Sequence, residues 1–135
     1  MIKIKKLRVE GFRGIINSAE LDFENGRSLV LWGYNGDGKS SFSYALEWLL
    51  KGSIAHLNRE DCGIEDYRHR ELEKTKNALV SVEFTDAKLN NTRKLDASLA
   101  SSSNPNPPSL MTLLLKQIRP ILSYIIGILA ASLLN

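Results

Sequence analysis

The sequence predicts an α/β fold. Antiparallel strands at the N-terminus lead into a mixed sheet, and a linker with an apolar helix closes the chain. Three observations predict it. Two early segments alternate apolar and charged residues with period two. A short apolar run beside glycine precedes a stretch with helical periodicity. A Ser/Pro/Asn-rich stretch then separates these elements from a Leu/Ile-rich tail.

In Ile2–Glu10, the residues Ile2, Ile4, Leu7 and Val9 are interleaved with lysines and arginines, the pattern of a strand with one wet face. Gly11–Gly14 breaks it. Ala19, Leu21 and Phe23 then alternate with Glu20, Asp22 and Glu24, giving a second strand that ends at the turn dipeptide Asn25-Gly26. Ser28–Trp32 is apolar after its first residue, which predicts a strand buried on both faces, as in a parallel sheet. From Lys39 to Lys51, Phe42, Ala45, Leu46, Leu49 and Leu50 recur at helical spacing, and Gly52 supplies a C-cap.

Residues 53–77 are polar and charged, and they read as a surface excursion with one exposed helical stretch. Ala78–Phe84 alternates again. Asn90-Asn91 offers a turn to a partner strand at Arg93–Leu99, which together predict a hairpin. Three of the four prolines fall in 100–109, an extended and mobile linker by composition. Leu110–Asn135 predicts a helix that Pro120 starts or kinks. The chain thus divides into a lobe over 1–99, a linker over 100–109 and an apolar helical tail over 110–135.

Composition narrows the function classes. Of 135 residues, 43% are hydrophobic and 24% charged, which excludes a mostly disordered or fibrous chain. The single cysteine, Cys62, cannot form an internal bridge, and Met1–Gly11 lacks the apolar core of a secretory signal, so a cytoplasmic location is expected. Residues 1–109 hold no apolar run near the ~20 residues of a spanning helix. In the tail, only Pro120–Asn135 is free of charge. Lys116 and Arg119 would each cost about 2.5–3.5 kcal/mol near the centre of a longer span, so a buried or partner-covered helix is preferred to a membrane anchor. The net charge is +3, yet residues 1–96 carry 16 Lys and Arg against all 15 Asp and Glu. The local basic cluster of Lys3, Lys5, Lys6, Arg8 and Arg13 therefore reads as a solvated strand face before a phosphate-backbone contact.

One motif carries chemistry. Gly33-Tyr34-Asn35-Gly36-Asp37-Gly38-Lys39-Ser40, followed by Ser41, satisfies G-x-x-x-x-G-K-[ST], the phosphate-binding P-loop. A chance match in a chain of this length arises about once in a few hundred sequences. A polyphosphate must be wrapped by backbone N–H groups, and Gly36 and Gly38 permit the positive φ values and close approach this needs. The helix starting near Lys39 aims unsatisfied N–H groups and its positive dipole end at the phosphates. Lys39 adds a charge toward the β- and γ-phosphates. The Ser40 hydroxyl suits Mg²⁺, and Ser41 can donate on the α-phosphate side. The cofactors implied are ATP and Mg²⁺, and the class sharpens to a P-loop NTPase lobe.

Taken together, the basic first strand, Gly11-Phe12-Arg13-Gly14, Leu21-Asp22-Phe23 and the run Leu29–Gly52 resemble the N-terminal lobe of RecF/SMC/SbcC-type, ABC-class ATPases of DNA repair and chromosome maintenance. The resemblance covers residues 2–52 closely and 53–99 loosely. It implies that Asn35 approaches the γ-phosphate and that Arg13 reaches nucleotide phosphate, a role suited to a bidentate guanidinium. It also implies an ATPase activity. Against the family pattern, the sequence has no apolar strand ending in Asp or Glu as a Walker B element, no Ser-Gly-Gly signature loop, and no coiled-coil heptads. Gln117 lies in the apolar segment and reads as an ordinary helix residue rather than a metal contact. No residue is assigned as catalytic. Glu47 lies two turns into the helix, and Asp37 reads as a solvent-facing loop position.

The function expected is therefore an ATP-binding lobe that hydrolyses once a second lobe, or a second copy in a homodimer, completes it. DNA is a candidate partner and a membrane is disfavoured. The alternative is a non-catalytic fragment or interaction module whose hydrophobic tail docks on a partner or membrane. A different P-loop enzyme, such as a small kinase, is a weaker third reading. His56 and His69 read as surface histidines. Trp32 and Trp48 read as packing aromatics, with Trp32 near enough to the loop to sense nucleotide.

Overall fold

The computed structural model describes residues 2–57, 62–96 and 100–103. The expected helix over 110–135, Gln117, most of the linker and the end of the predicted strand at 97–99 lie outside the described residues. Five strands, β1 (Ile4–Glu10), β2 (Ala19–Asp22), β3 (Ala78–Phe84), β4 (Asn91–Leu95) and β5 (Ala100–Ser102), form one sheet in the order β2-β1-β3-β4-β5. Every neighbouring pair is antiparallel. Leu7 lies opposite Leu21 on one side and Val82 on the other, and Val9 lies between Ala19 and Val80.

The period-two pattern decides which face is dry. Leu7, Val9, Ala78, Val80, Val82, Phe84 and Leu95 are all buried, whereas the alternate residues Arg8, Glu83 and Lys94 are exposed. Helix α1 (Lys39–Lys51) packs on the dry face through Ala45, Leu46, Trp48, Leu49 and Leu50. Trp48 is its anchor, fully buried. Phe12 stacks on it at 5.4 Å, Tyr67 meets it edge-on at 6.3 Å, and the Arg93 guanidinium lies 5.4 Å above its ring. Arg93 comes from the core-facing register of β4, and burial pushes its pKa down. Gly52 ends the helix in the left-handed region, its N–H donating to the Trp48 carbonyl, as the sequence predicts.

The basic face of β1 is neutralised within the sheet. Lys6 Nζ reaches Glu20 at 2.8 Å and Asp22 at 3.7 Å, and Arg8 bonds Ser18 at 2.9 Å and Glu10 at 3.1 Å. The hydrogen bond to Glu20 raises the Lys6 pKa. A register shift between Ile4 and Lys6 interrupts the simple alternation expected for Lys3 and Lys5. These pairings support the solvated-face reading.

Three segments depart from the sequence expectation. Ser28–Trp32 joins no sheet, and Val30 and Trp32 are 70% and 92% exposed. Among the described residues, the amides of Ser28–Gly33 have no backbone partner. Apolar composition reports the burial a segment requires, but the covering element must come from elsewhere, and none of the described residues supplies it. For the same reason Trp32 is not a packing aromatic. The β3–β4 connection is also longer than an Asn90-Asn91 turn. A 3-10 turn at Ala87–Leu89 is capped by Asp86, whose carboxylate accepts the Lys88 amide. Asn90 Oδ1 accepts the Phe84 amide at 2.8 Å, so β4 begins at Asn91. Finally, Ala100–Ser102 pairs with β4 as an edge strand, although its composition reads as the start of the linker. Strand pairing uses backbone groups, which Ala and Ser supply as well as any residue.

Candidate functional site

The site is built where two glycine turns meet. After β1, Gly11 turns at φ 64° and Arg13 at φ 49°. The following Gly14 donates its amide to Ser41 Oγ at 3.0 Å. A side chain on Gly14 would lie 3.1 Å from that oxygen and 3.3 Å from the Gly38 Cα. Gly38, at φ 81°, would in turn press a side chain against the Gly14 carbonyl at 3.2 Å. Two backbones touch here because neither residue has a Cβ. The contact fixes the Phe12-Arg13 turn against the start of α1.

Gly38 is the N-cap of α1, with no side-chain cap and no acidic residue in the first turn. The Lys39 and Ser40 amides are thus left for an anion, while the Ser41 amide donates to the Gly38 carbonyl at 2.9 Å. Lys39 Nζ is held by the Gly33 carbonyl at 2.6 Å and the Tyr34 carbonyl at 2.5 Å. Two neutral oxygens satisfy part of the ammonium, and phosphate oxygens are stronger acceptors that can replace them. Asn35 and Ser40 are exposed on the cavity wall with no hydrogen bond among the described residues. Ser41 is 6% exposed, and its Oγ already accepts the Gly14 amide. Only its hydroxyl proton remains for donation toward an α-phosphate.

Asp37 is exposed, yet it does not simply face solvent. Its Oδ2 accepts the Tyr34 amide at 2.7 Å, and its own amide donates to the Tyr34 carbonyl at 3.3 Å. This doubly bonded turn shapes the loop ahead of Gly38.

The cavity in front of the loop measures about 540 Å³. Its second wall comes from a segment that composition alone assigns to a surface excursion. Arg13 donates its amide to the Tyr67 carbonyl at 2.9 Å and Nη1 to the Asp66 carbonyl at 3.0 Å. The His69 amide reaches the Gly11 carbonyl at 2.8 Å, and Phe12 bridges Arg68. Tyr67, in the 3-10 turn Ile64–Tyr67, anchors this wall in the core and accepts the Ile54 amide at 3.2 Å. Arg68, His69 and Arg70 therefore line the cavity opposite Lys39. His69 is a wall residue rather than a remote surface histidine. Nothing in its spacing indicates this. The only local signal is the apolar pair Ile64 and Tyr67 within the charged run, which marks a segment with one buried side.

Glu47 and His56 have structural roles. Glu47 pairs with Lys51 at 2.9 Å and accepts the Ala55 amide at 3.3 Å. His56 stacks on Tyr44, with ring centroids 6.2 Å apart. Among the described residues, no group of three or more His, Cys, Asp or Glu can hold a metal ion, and no helix is long and apolar enough to cross a membrane.

This union of a glycine loop, an uncapped helix start and an ammonium held on the loop's own carbonyls places the molecule in the class of α/β P-loop lobes. Residues 6–123 match the family model AAA_23, an AAA domain, and the chain belongs to that family. It is similar to structural maintenance of chromosomes protein 3 of Caenorhabditis elegans, with 39% identity over 59 residues. That match covers 44% of this chain and 5% of the relative. A homologue of the same protein in Plasmodium falciparum (isolate 3D7) is 40% identical over 47 residues, 35% of this chain and 4% of the relative. The chain thus spans a twentieth or less of these relatives.

Two solved structures share the fold at 22% identity. One comes from work on ATP-driven dimerization and DNA stimulated activation of SMC ATPases; it has a TM-score of 0.62, with 84% of this chain and 78% of that one covered. The other is an Smc head domain with an extended coiled coil, bound to the C-terminal domain of ScpA, derived from Pyrococcus furiosus. Its TM-score is 0.64, over 86% and 33% of the two chains. The fold is that of the N-terminal lobe of an SMC-type ATPase head.

Proposed function

We propose that the chain is the ATP-binding lobe of an ATPase serving chromosome maintenance or DNA repair, and that it binds ATP with Mg²⁺. The observation that carries this reading is the uncapped N-terminus of α1 opening on a cavity whose walls bring Lys39 together with Arg13, Arg68 and Arg70. The residues fit the ligand: the loop carries the left-handed Gly36 and Gly38, and the lining holds Lys39, Arg13, Arg68 and Arg70 against the two acids Asp66 and Glu71. The names of the relatives and of the solved SMC heads support the choice of ATP and of a chromosomal role.

In this reading the amides around Gly36 and Gly38 cradle phosphate oxygens, and Lys39 exchanges its two carbonyl partners for them. Arg13 closes the side of the site, held in place by Asp66 and Tyr67. Asn35 faces the terminal phosphate and Ser40 supplies one oxygen toward Mg²⁺. When bound, Mg-ATP would supply the phosphoanhydride bond to be cleaved, and the metal would neutralise part of the charge on the phosphate oxygens. The Asp66 carboxylate is engaged with the Gly63 amide at 2.8 Å, and no acid of this chain is assigned to the metal or to water.

A second lobe, or a second copy, completes the enzyme and supplies that carboxylate and the signature loop. Among the described residues Val30 and Trp32 are left exposed, which favours such an association. Lys6 and Arg8 are paired with Glu20, Asp22 and Glu10, which argues against a DNA contact on that strand face. A cytoplasmic location fits this reading. Titration of the 135-residue chain with Mg-ATP is the test. Saturable binding that Lys39→Ala weakens supports the proposal, and equal binding by both proteins would count decisively against it.

A further inference from the structure

We propose that Asp37 sets the affinity of the loop for nucleotide and makes it selective for ligands of low net charge. This inference rests on the nucleotide-binding reading above. Asp37 is the sole charged side chain between Gly33 and Gly38. It sits between two left-handed glycines, Gly36 at φ 97° and Gly38 at φ 81°. Its carboxylate turns back on the loop, where Oδ2 accepts the Tyr34 amide at 2.7 Å. A side chain on Gly33 would lie 2.8 Å from that oxygen, so the carboxylate occupies the space the glycine leaves open.

Two effects of opposite sign follow. The hydrogen bond orders the Gly33–Tyr34 peptide, whose Gly33 carbonyl holds Lys39, and the Tyr34 carbonyl that follows holds Lys39 and the Asp37 amide. The loop is thereby organised before any ligand arrives. The same group fixes a negative charge one residue from the amides that open on the anion site, and among the described residues it forms no salt bridge, although Lys39 is held on the same loop. Repulsion from that charge grows with the charge of the ligand and is screened by salt. Free ATP is opposed more than ADP, and ADP more than AMP. Mg²⁺ relieves part of the repulsion by lowering the ligand's net charge. Asp37 thus acts as a positioning residue through its hydrogen bond and as a charge filter through its field.

Two substitutions separate these effects. Asp37→Asn keeps an oxygen for the Tyr34 amide and removes the charge, whereas Asp37→Ala removes both. Titrations of the full chain with ATP, ADP and AMP, with EDTA or with Mg²⁺, at low and high salt, read the outcome. Asp37→Asn is expected to tighten metal-free ATP binding about tenfold at low salt, AMP by about twofold, and Mg-ATP by an intermediate factor. The gain should shrink toward unity near 1 M salt, where the Debye length is about 3 Å. Asp37→Ala should bind more weakly than Asp37→Asn despite equal charge. Asp37→Asn affinity no tighter than wild type, or a gain equal for ATP and AMP, overturns the inference. In that case a loss in Lys39→Ala still upholds the nucleotide site. A folded wild type and a folded Asp37→Asn that both fail to bind any of the three nucleotides overturn both.

Discussion

The Ser41 hydroxyl accepts the Gly14 amide at 3.0 Å, and that bond ties the first turn of the chain to the start of its main helix. Removing the oxygen takes the partner from the Gly14 N–H, in a bond that is only partly buried. Ser41→Ala is expected to cost about 1–1.5 kcal/mol in urea unfolding. Ser40→Ala, one residue away but exposed, should change stability by no more than about 0.5 kcal/mol. Equal costs for the two would show that the turn is not anchored through Ser41.

Lys39 carries the positive charge of the loop, and its partners in the ligand-free molecule are two carbonyls. Lys39→Ala should lower ATP affinity about 10–100-fold, the value of one charge-assisted contact of roughly 1.5–3 kcal/mol. Calorimetric titration checks this.

Gly36 and Gly38 both have positive φ, but only Gly38 is crowded. A side chain at Gly36 meets nothing within 4 Å, whereas at Gly38 it meets Gly14 O at 3.2 Å and the Ile15 side chain at 3.3 Å. Gly36→Ala should therefore cost about 1–2 kcal/mol, from left-handed backbone strain alone. Gly38→Ala adds a backbone collision and should cost more, and its nucleotide affinity should fall as the loop shifts. Paired unfolding curves decide it, and a reversed order would sink the argument.

The two tryptophans should behave oppositely. Trp48→Ala empties the centre of the aromatic cluster and should cost about 3–5 kcal/mol. Trp32→Ser removes a ring that is 92% exposed and should leave stability unchanged within about 0.5 kcal/mol. If the Val30–Trp32 segment is the docking edge, Trp32→Ser also weakens nucleotide-dependent association measured by sedimentation.

Arg93 stacks on Trp48 while its Nε, buried, has no hydrogen-bond partner among the described residues. A cation–π contact of about 0.5–2 kcal/mol is set against an unsatisfied donor of about 1–3 kcal/mol. Arg93→Met, which keeps the packing volume, should leave the unfolding free energy unchanged or raise it by about 1 kcal/mol. A loss beyond 2 kcal/mol would show that the guanidinium has a stronger role than the stacked ring reveals.

Much of the fold was legible in local pattern. Period two marked β1, β2 and β3, and period 3.6 with a terminal glycine marked α1 from Lys39 to Lys51. The loop was legible too, because Gly-x-Gly-Lys-Ser is short and its residues act through their own backbone. Ser28–Trp32 was not, since its apolar character states a need for cover that a partner must meet. The wall of Arg68, His69 and Arg70 was equally hidden. These residues lie some thirty positions from the loop, and only the pairing of Gly11–Arg13 with Tyr67–His69 brings them to it.

The order of residues alone thus determined where β1, β2, β3 and α1 form and which eight positions make a phosphate loop, because those properties depend on neighbours a few bonds away. Tertiary structure decided the rest. It turned Asp37 onto Tyr34, buried Ser41 beneath Gly14, set Arg93 over Trp48 and left Trp32 in water. Each of these depends on which distant backbone arrives at close range, and sequence spacing does not specify that.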